Sequence, residues 1–244
     1  MDNVNIKKLV DQNAKFESRV KNLLIEKSNS FDSLIELYSI LNNIYPSYIA
    51  PVYHLNRYHQ LVNDSFSIDL FDSLESKQRD AMLQIEFQDT LIAIKGLLDR
   101  IVKIVSIHYK NLESNLTFGF YDLNTGKRTK FMKNVLQMAD EDEFMNRILN
   151  EYKDWIHKAV GPRDKVVHYN DLPFVYRATF DPSDTSFKSM EIVHLNKDLY
   201  EGVDLEDNNQ IRNIGFDYND LVKFINRLYE LYDLTVNTII DKFK

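Results

Sequence analysis

Residues 75–110 read ESKQRDAMLQIEFQDTLIAIKGLLDRIVKIVSIHYK and carry the longest helical pattern in the 244-residue chain. Apolar residues recur there at spacings of three and four, which is the period of one face of an α-helix. A helix over this range would be roughly 50 Å long at about 1.5 Å per residue. Such a helix is normally the central member of a bundle. The pattern predicts one broad apolar face made of Met82, Ile85, Leu91, Ile94, Leu98, Ile101, Val105 and His108.

The N-terminal part of the chain predicts further helices. Residues 4–27 alternate apolar and charged side chains at helical spacing, and a second run of the same kind extends over residues 31–45. Pro46 is expected to end this second helix, because proline disfavours helical backbone in the residue before it. Residues 47–62 are rich in aromatic side chains and are predicted to be helical in part, with Pro51 near a start.

Two more helices are predicted in the C-terminal half. Acidic residues at 140–143 suit the positive end of a helix dipole, and the apolar pattern that they open continues to about Val160. Gly161 and Pro162 are typical of a helix end followed by a new first turn, which predicts a short helix over residues 162–169. Residues 217–243 have the pattern of a closing amphipathic helix.

Two segments lack helical periodicity. Residues 115–130 predict a loop or a short hairpin, and residues 171–215 predict an irregular insertion. Within that insertion, residues 174–180 and 187–194 alternate enough to form two strands. The expected fold is therefore all-α, a helical bundle with a small irregular or β insertion before the last helix. We expect residues 1–244 to form a single helical domain, to which residues 4–70 contribute the N-terminal helices.

Composition narrows the class of protein. The chain has no cysteine, which excludes disulfides, thiolate metal sites and cysteine nucleophiles. Its six glycines and five prolines are few for a β-rich protein, which needs many turns. No apolar run is long enough for a signal peptide or a membrane span, so we expect a cytoplasmic protein without membrane contact. The net charge of −7 argues against a large non-specific surface for nucleic acid, but leaves room for a small phosphate site.

Most familiar catalytic and metal motifs are absent from the sequence. It has no Gly-rich phosphate loop, no GxSxG elbow, no HExxH and no EF-hand pattern. His54 and His59 are five residues apart, an offset of about 140° on a helix, which suits a shared metal poorly. We expect neither a metal nor another cofactor.

A basic run, Lys127, Arg128, Lys130 and Lys133, is the densest in the chain. It has two interpretations, which the sequence leaves open. The first is a solvated loop, and the second is a patch that guides phosphates towards a nucleic-acid site.

A second candidate site begins at Arg163, where the sequence reads Arg163-Asp164-Lys-Val-Val-His168 directly after an apolar helix and the Gly-Pro break. This arrangement resembles the motif of HEPN domains. These are helical bundles that carry Arg, commonly followed by Asn, Asp or His, and then His after four to six intervening residues. The resemblance covers roughly residues 75–243, and only its six motif residues are specific.

The resemblance implies a metal-independent endoribonuclease, in the setting of a toxin or an anti-phage effector, whose two motifs face each other across a homodimer. It implies that His168 is the general base on a ribose 2′-hydroxyl and that Arg163 stabilises charge on the phosphate. Asp164 lies four residues before His168 and could orient its imidazole. The RNA-binding residues expected around this site are Lys127, Arg128, Lys130, Lys158 and Lys165.

Two observations keep an alternative open. Arg163 and His168 lie about 140° apart on an ideal helix, so they share a site only if a loose first turn or a second protomer brings them together. The acidic surface also fits a non-catalytic helical module that binds a protein or a nucleotide. In that interpretation Arg163 pairs with a carboxylate and His168 is a polar residue at a helix end.

Overall fold

A computed structural model describes residues 5–26, 31–64, 74–109, 117–118, 130–160, 174–180, 183, 187–195 and 215–244. The predicted break at Gly161-Pro162, the predicted helix 162–169 and most of the predicted loop 115–130 lie outside these residues. The described elements are α1 (Ile6–Glu26), α2 (Phe31–Asn43), α3 (Tyr45–Asp64), α4 (Leu74–His108), α5 (Lys130–Met138), α6 (Glu143–Glu151), a π-helical turn (Tyr152–Ile156), β1 (Phe174–Phe180), β2 (Phe187–Leu195), β3 (Gly215–Phe216) and α7 (Tyr218–Asp241).

The predicted helical bundle is confirmed, and α4 is its central helix. It packs against α3, α7 and α2, and most residues of its middle and C-terminal turns are buried. The buried side chains of these helices belong to one continuous apolar cluster that extends from Leu9 to Ile240. Among the described helices, none combines the length and the apolar character that crossing a bilayer requires.

The predicted apolar face of α4 is only partly correct. Five of its members, Leu91, Ile94, Leu98, Ile101 and Val105, are buried. Met82 and Ile85, in contrast, are 42% and 54% exposed, and His108 is also exposed. The reason is angular, because a step of 100° per residue places Ile85 about 120° away from Leu91. Leu83 and Phe87 continue the buried face in the N-terminal turns instead.

The two N-terminal prolines do not act as predicted. Helix α2 already ends at Asn43, and Pro46 is the second residue of α3, where a missing backbone N–H costs nothing. Pro51 lies inside α3 rather than near a start. An interior proline removes one helical hydrogen bond. The helix nevertheless continues, and its buried face, Tyr48, Val52, Leu55 and Tyr58, packs against the rest of the bundle.

Helix α5 was not predicted. Lys130, the last residue of the predicted loop 115–130, is instead the first residue of this helix, and Lys133 of the basic run lies on its exposed side. Phe131, Met132 and Val135 are fully buried, at the spacing of a helix face.

The described residues between residue 174 and the start of α7 form a three-stranded antiparallel sheet in the order β1-β2-β3. The two predicted strands are confirmed, with Phe174 opposite His194 and Phe180 opposite Phe187, and a register irregularity lies before Phe180. The third strand, β3, was not predicted because two residues are too short to show alternation. His194 is fully buried and stacks on Phe87 with 3.5 Å between ring centroids, which attaches the sheet to the bundle.

Candidate functional site

Most of the predicted site residues lie outside the described part of the chain. These are Arg163, Asp164, Lys165, His168, Lys127 and Arg128. Lys130 is placed as the first residue of α5 by its backbone, and Lys158 is exposed on the helix that leads towards Arg163. Residues 142–160, which are described and precede Arg163 in the sequence, form the framework of the candidate site.

That framework begins at a well-formed helix start. The Asp142 side chain caps α6 by accepting a hydrogen bond from the backbone N–H of Met145 at 3.0 Å. It also accepts one from the hydroxyl of Tyr109, at the end of α4, at 2.8 Å. Burial alone would raise the pKa of Asp142, but these hydrogen bonds outweigh it and hold the pKa below its ordinary value. The start of α6 is thus fixed to α4.

The same helix contains a π-helical turn, Tyr152–Ile156, before it resumes α-helical geometry at residues 157–160. Tyr152, Trp155 and Ile156 of this turn are buried. His157 follows it and places its ring Nδ1 3.0 Å from the carbonyl oxygen of Tyr152. Single π turns inside α-helices occur frequently at functional sites. The π turn lies shortly before Gly161 and Pro162 in the sequence.

A polar cluster spans the π turn, and we call Arg147, Glu151, Trp155 and Arg227 the Glu151 cluster. Glu151 is only 4% exposed. Its Oε1 accepts from Arg147 Nη2 at 2.8 Å. Its Oε2 accepts from Arg227 Nη2 at 2.8 Å and from the indole Nε1 of Trp155 at 2.7 Å. A buried carboxylate is costly unless it is paired and hydrogen-bonded, and both oxygens of Glu151 meet that requirement.

Contacts with α7 show where this helix leads. Near its C-terminal end the ring of Trp155 stacks on Phe224 at 5.9 Å, and Asp154 accepts from Arg227 at 3.2 Å. Phe224 and Arg227 belong to the first half of α7, so residues 143–160 run antiparallel to that helix. Val160, which is buried, therefore lies towards the end of the bundle at which α7 starts. Val160 is the last described residue before the motif in the sequence.

A cleft of about 730 Å³ lies along α6 and the C-terminal half of α7, and Arg147 and Glu151 of the Glu151 cluster contribute to its lining. Five carboxylates and two cations contribute to its lining, together with exposed apolar surface from α7. The net negative charge would repel a phosphate backbone, so this cleft is unsuited to nucleic acid. Its lining residues are Tyr109, Glu141, Asp142, Glu143, Phe144, Arg147, Glu151, Glu230, Leu231, Leu234, Thr238 and Lys242.

His54 and His59, the two histidines that are five residues apart, contact different side chains. His54 contacts Glu86 at 2.8 Å, and His59 stacks on Tyr218 at 4.7 Å, so the two do not converge. Over the described residues, no group of three or more histidines and carboxylates is arranged to hold a metal ion.

A smaller pocket of about 410 Å³ lies between α1 and α7 and is lined in part by Asp233. The Oδ2 atom of Asp233 accepts from Gln12 Nε2 at 3.5 Å, whereas Oδ1 is buried without a hydrogen-bond partner in the described structure. Burial raises the pKa of Asp233 to about 6. The fold therefore disfavours the charged form of this side chain.

Asp233→Asn is expected to raise the free energy of unfolding at pH 7 by about 1–2 kcal/mol, after discounting for the solvent that reaches this partly buried residue. The pKa is raised in the fold, so the native state binds more protons than the unfolded state between about pH 4 and pH 6. Wild-type stability should fall as pH rises through that window, and the variant should lose this part of the slope. Urea unfolding from pH 4 to pH 8 measures both. The exposed Asp11→Asn is the control and should follow the wild type.

Sequence inspection missed the Glu151 cluster. The sequence could have indicated the contact between Glu151 and Trp155, because residues four positions apart lie next to each other on a helix. The contact between Arg227 and Glu151 could not be read from the sequence, because it forms only when α7 packs beside α6.

Comparisons with protein-family models, with curated proteins and with solved structures gave no match to this chain.

Proposed function

We propose that the chain is a metal-independent endoribonuclease of HEPN type that acts as a homodimer. The observation that carries this proposal is the sequence Arg163-Asp164-Lys-Val-Val-His168, placed directly after a helix and a Gly-Pro break. As the resemblance implies, the biological setting would be a toxin or an anti-phage effector, and a protein partner would be an antitoxin.

The chemistry needs one base and one cation near a phosphodiester. His168 takes the proton of a ribose 2′-hydroxyl, and the 2′-oxygen attacks the adjacent phosphorus. The bond from phosphorus to the 5′-oxygen breaks, and that oxygen takes a proton from water. Arg163 hydrogen-bonds the non-bridging oxygens, where negative charge develops. Asp164 holds the imidazole in the required orientation.

The described framework supports the proposal in two ways. The helix that precedes the motif in the sequence packs along α7, and Val160, its last described residue, is buried, so the chain is held firmly up to that residue. Lys158 is exposed on the last turns of that helix and is free to meet a phosphate backbone.

The acidic cleft favours a second candidate function, a non-catalytic module that binds a protein. Leu231 and Leu234 line it beside Glu141, Glu143 and Glu230, a combination that suits a basic segment with an apolar side. The negative lining does not suit the phosphates of a nucleotide. In this alternative the motif residues can be changed without loss of binding.

Purified protein is expected to cleave RNA with EDTA present, and His168→Ala is expected to cleave about 10²–10⁴-fold more slowly, the usual contribution of a general base. The substrate is a mixture of single-stranded and structured RNA. His108→Ala is the matched control, because His108 is exposed at the C-terminal end of α4. This variant should cleave RNA at the wild-type rate.

The comparison requires that all three proteins have the same unfolding midpoint and the same dimer mass in light scattering. Cleavage by His168→Ala at the wild-type rate would refute the role of His168. No cleavage by a folded wild-type dimer would favour the protein-binding module.

A further inference from the structure

The acidic cleft is a groove between α6 and the C-terminal half of α7. Its lining residues on α7 repeat every four positions, at Glu230, Leu234 and Thr238. On α6 the lining residues Glu143 and Arg147 have the same spacing. Residues four positions apart lie on one face of a helix, so each helix presents one row of side chains to the cleft. Two such rows on antiparallel helices form the kind of surface into which a third helix packs.

The length of the groove and its apolar centre set the size of an occupant. The row on α7 starts at Glu230, and Lys242, which directly follows this helix, is the last lining residue. At about 1.5 Å per residue the row is about 18 Å long, which corresponds to roughly three turns of a partner helix. Leu234 lies in the middle of the row and is 39% exposed. Phe144 and Leu231, which also line the groove, are buried beside it, so a partner finds an apolar contact at the centre.

The carboxylates of the groove differ in what they bind. Asp142 caps α6, and Glu151 is paired with two arginines, so the fold itself uses both of these groups. Glu141, Glu143 and Glu230 are exposed, and none of the three has an ion-pair partner among the residues that the structure describes. Five carboxylates against two cations leave the lining with a net negative charge. The charge that complements this groove is therefore positive.

We propose that this groove binds an amphipathic α-helix of about three turns from a basic protein, with its apolar face on Leu234 and its lysine or arginine side chains on Glu230 and Glu143. The proposal rests on the protein-binding function proposed above, and it adds the secondary structure, the length and the charge of the partner. A second copy of this chain would carry the same net charge of −7 into an acidic groove, and that repulsion disfavours it as the occupant.

Two peptides test the helical character of the partner. The first is a fluorescein-labelled peptide of about 14 residues, made of leucine, lysine and alanine, whose leucines recur at spacings of three and four with lysines on both flanks. The second has the same composition in an order that removes the apolar face. Fluorescence anisotropy measures the binding of each to the full-length chain at pH 7. The first peptide should bind at least about tenfold more tightly, because only its helix presents apolar and cationic groups to the matching parts of the groove.

Three variants of the chain test the place of binding. Glu230→Lys should weaken binding of the first peptide at least about tenfold, because it sets a cation against the lysines of the peptide. Leu234→Gln should weaken binding about fivefold without changing any charge, because it removes the apolar contact at the centre of the groove. Glu36→Lys is the matched control. Glu36 is exposed on α2 and does not line the groove, so this variant has the same net charge as Glu230→Lys and should bind the peptide like the wild type.

The variants are compared only when their unfolding midpoints in urea match that of the wild type, and Glu230→Gln replaces Glu230→Lys if the latter does not fold. Equal weakening by Glu230→Lys and Glu36→Lys would show that binding follows net charge, which overturns the groove as the site. Equal affinity for the two peptides would overturn the helical partner and leave protein binding as a function. Absence of binding to either peptide at about 1 mM would defeat this proposal and the protein-binding module together. The ribonuclease is judged separately, because its assay measures cleavage.

Discussion

Tyr48→Ala is expected to lower the free energy of unfolding by about 3–5 kcal/mol, the usual cost of truncating a fully buried aromatic side chain. Tyr48 has no exposed surface and lies where α3 meets α7. Its ring centroid is 5.1 Å from that of Tyr229 and 4.7 Å from that of Tyr232. Aromatic pairs of this kind contribute about 0.5–1.5 kcal/mol beyond the area that they bury. Removing the ring leaves a cavity between two helices that cannot close over it.

The matched control is Tyr53→Ala, which removes the same side chain from the same helix. Tyr53 is 51% exposed, so its loss should change stability by only about 0.5 kcal/mol. Urea unfolding followed by circular dichroism measures both variants at pH 7. Equal losses would contradict the burial of Tyr48 and the placement of α3 against α7.

The helices of the bundle could be predicted where the apolar residues of one segment repeat with helical periodicity. The patterns over residues 4–27, 75–110 and 217–243 correspond to α1, α4 and α7 with small shifts at their ends. Helical periodicity is local, so it survives without knowledge of neighbours. The position of the apolar face was less predictable, since Met82 and Ile85 are as apolar as Leu83 and Phe87. Only contact with α3 and the sheet determines which pair is buried.

The sheet shows the same limit. The alternation that predicted β1 and β2 is local, but the burial of His194 depends on Phe87, which is distant in the chain. A histidine at the end of a predicted strand gives no sign that it will stack on an aromatic ring of α4. Because such contacts form only when elements pack, periodicity could not have predicted them.

The candidate site divides along similar lines. Arg163 and His168 are recognised by their spacing alone, and their role stays a prediction. The Glu151 cluster, in contrast, is defined by distances and could be found only after α7 was packed beside the π turn.

A buried hydrogen-bond junction at Asn13 leads to the second large effect that we expect. Asn13 has no exposed surface, and its side chain joins three helices. Its Nδ2 donates to the carbonyl oxygen of Leu41 in α2 at 3.0 Å, and its Oδ1 accepts from the Tyr232 hydroxyl of α7 at 2.6 Å. Leu41 lies in the last turn of α2, where carbonyls lack a donor within the helix.

Asn13→Leu keeps a similar side-chain shape but removes these two hydrogen bonds and a third, from Asn13 Nδ2 to Glu17 Oε1 at 2.9 Å, so a buried carbonyl and a buried hydroxyl lose their hydrogen bonds. Each unsatisfied group costs about 1–3 kcal/mol, and we expect a total loss of about 2–4 kcal/mol. Tyr232→Phe alone removes one hydroxyl and should cost only about 1 kcal/mol. The double variant should be more stable than the sum of the single losses indicates, because the hydroxyl stranded by Asn13→Leu is no longer present.

Urea unfolding of the four proteins gives the interaction free energy directly. A coupling of about 0.5–3 kcal/mol between positions 13 and 232 is the expected result. Losses that add without coupling would mean that the Tyr232 hydroxyl finds another partner when Asn13 is absent. In that case α1 would be joined to α7 mainly by its apolar face, and the polar junction would contribute little to the choice of helix register.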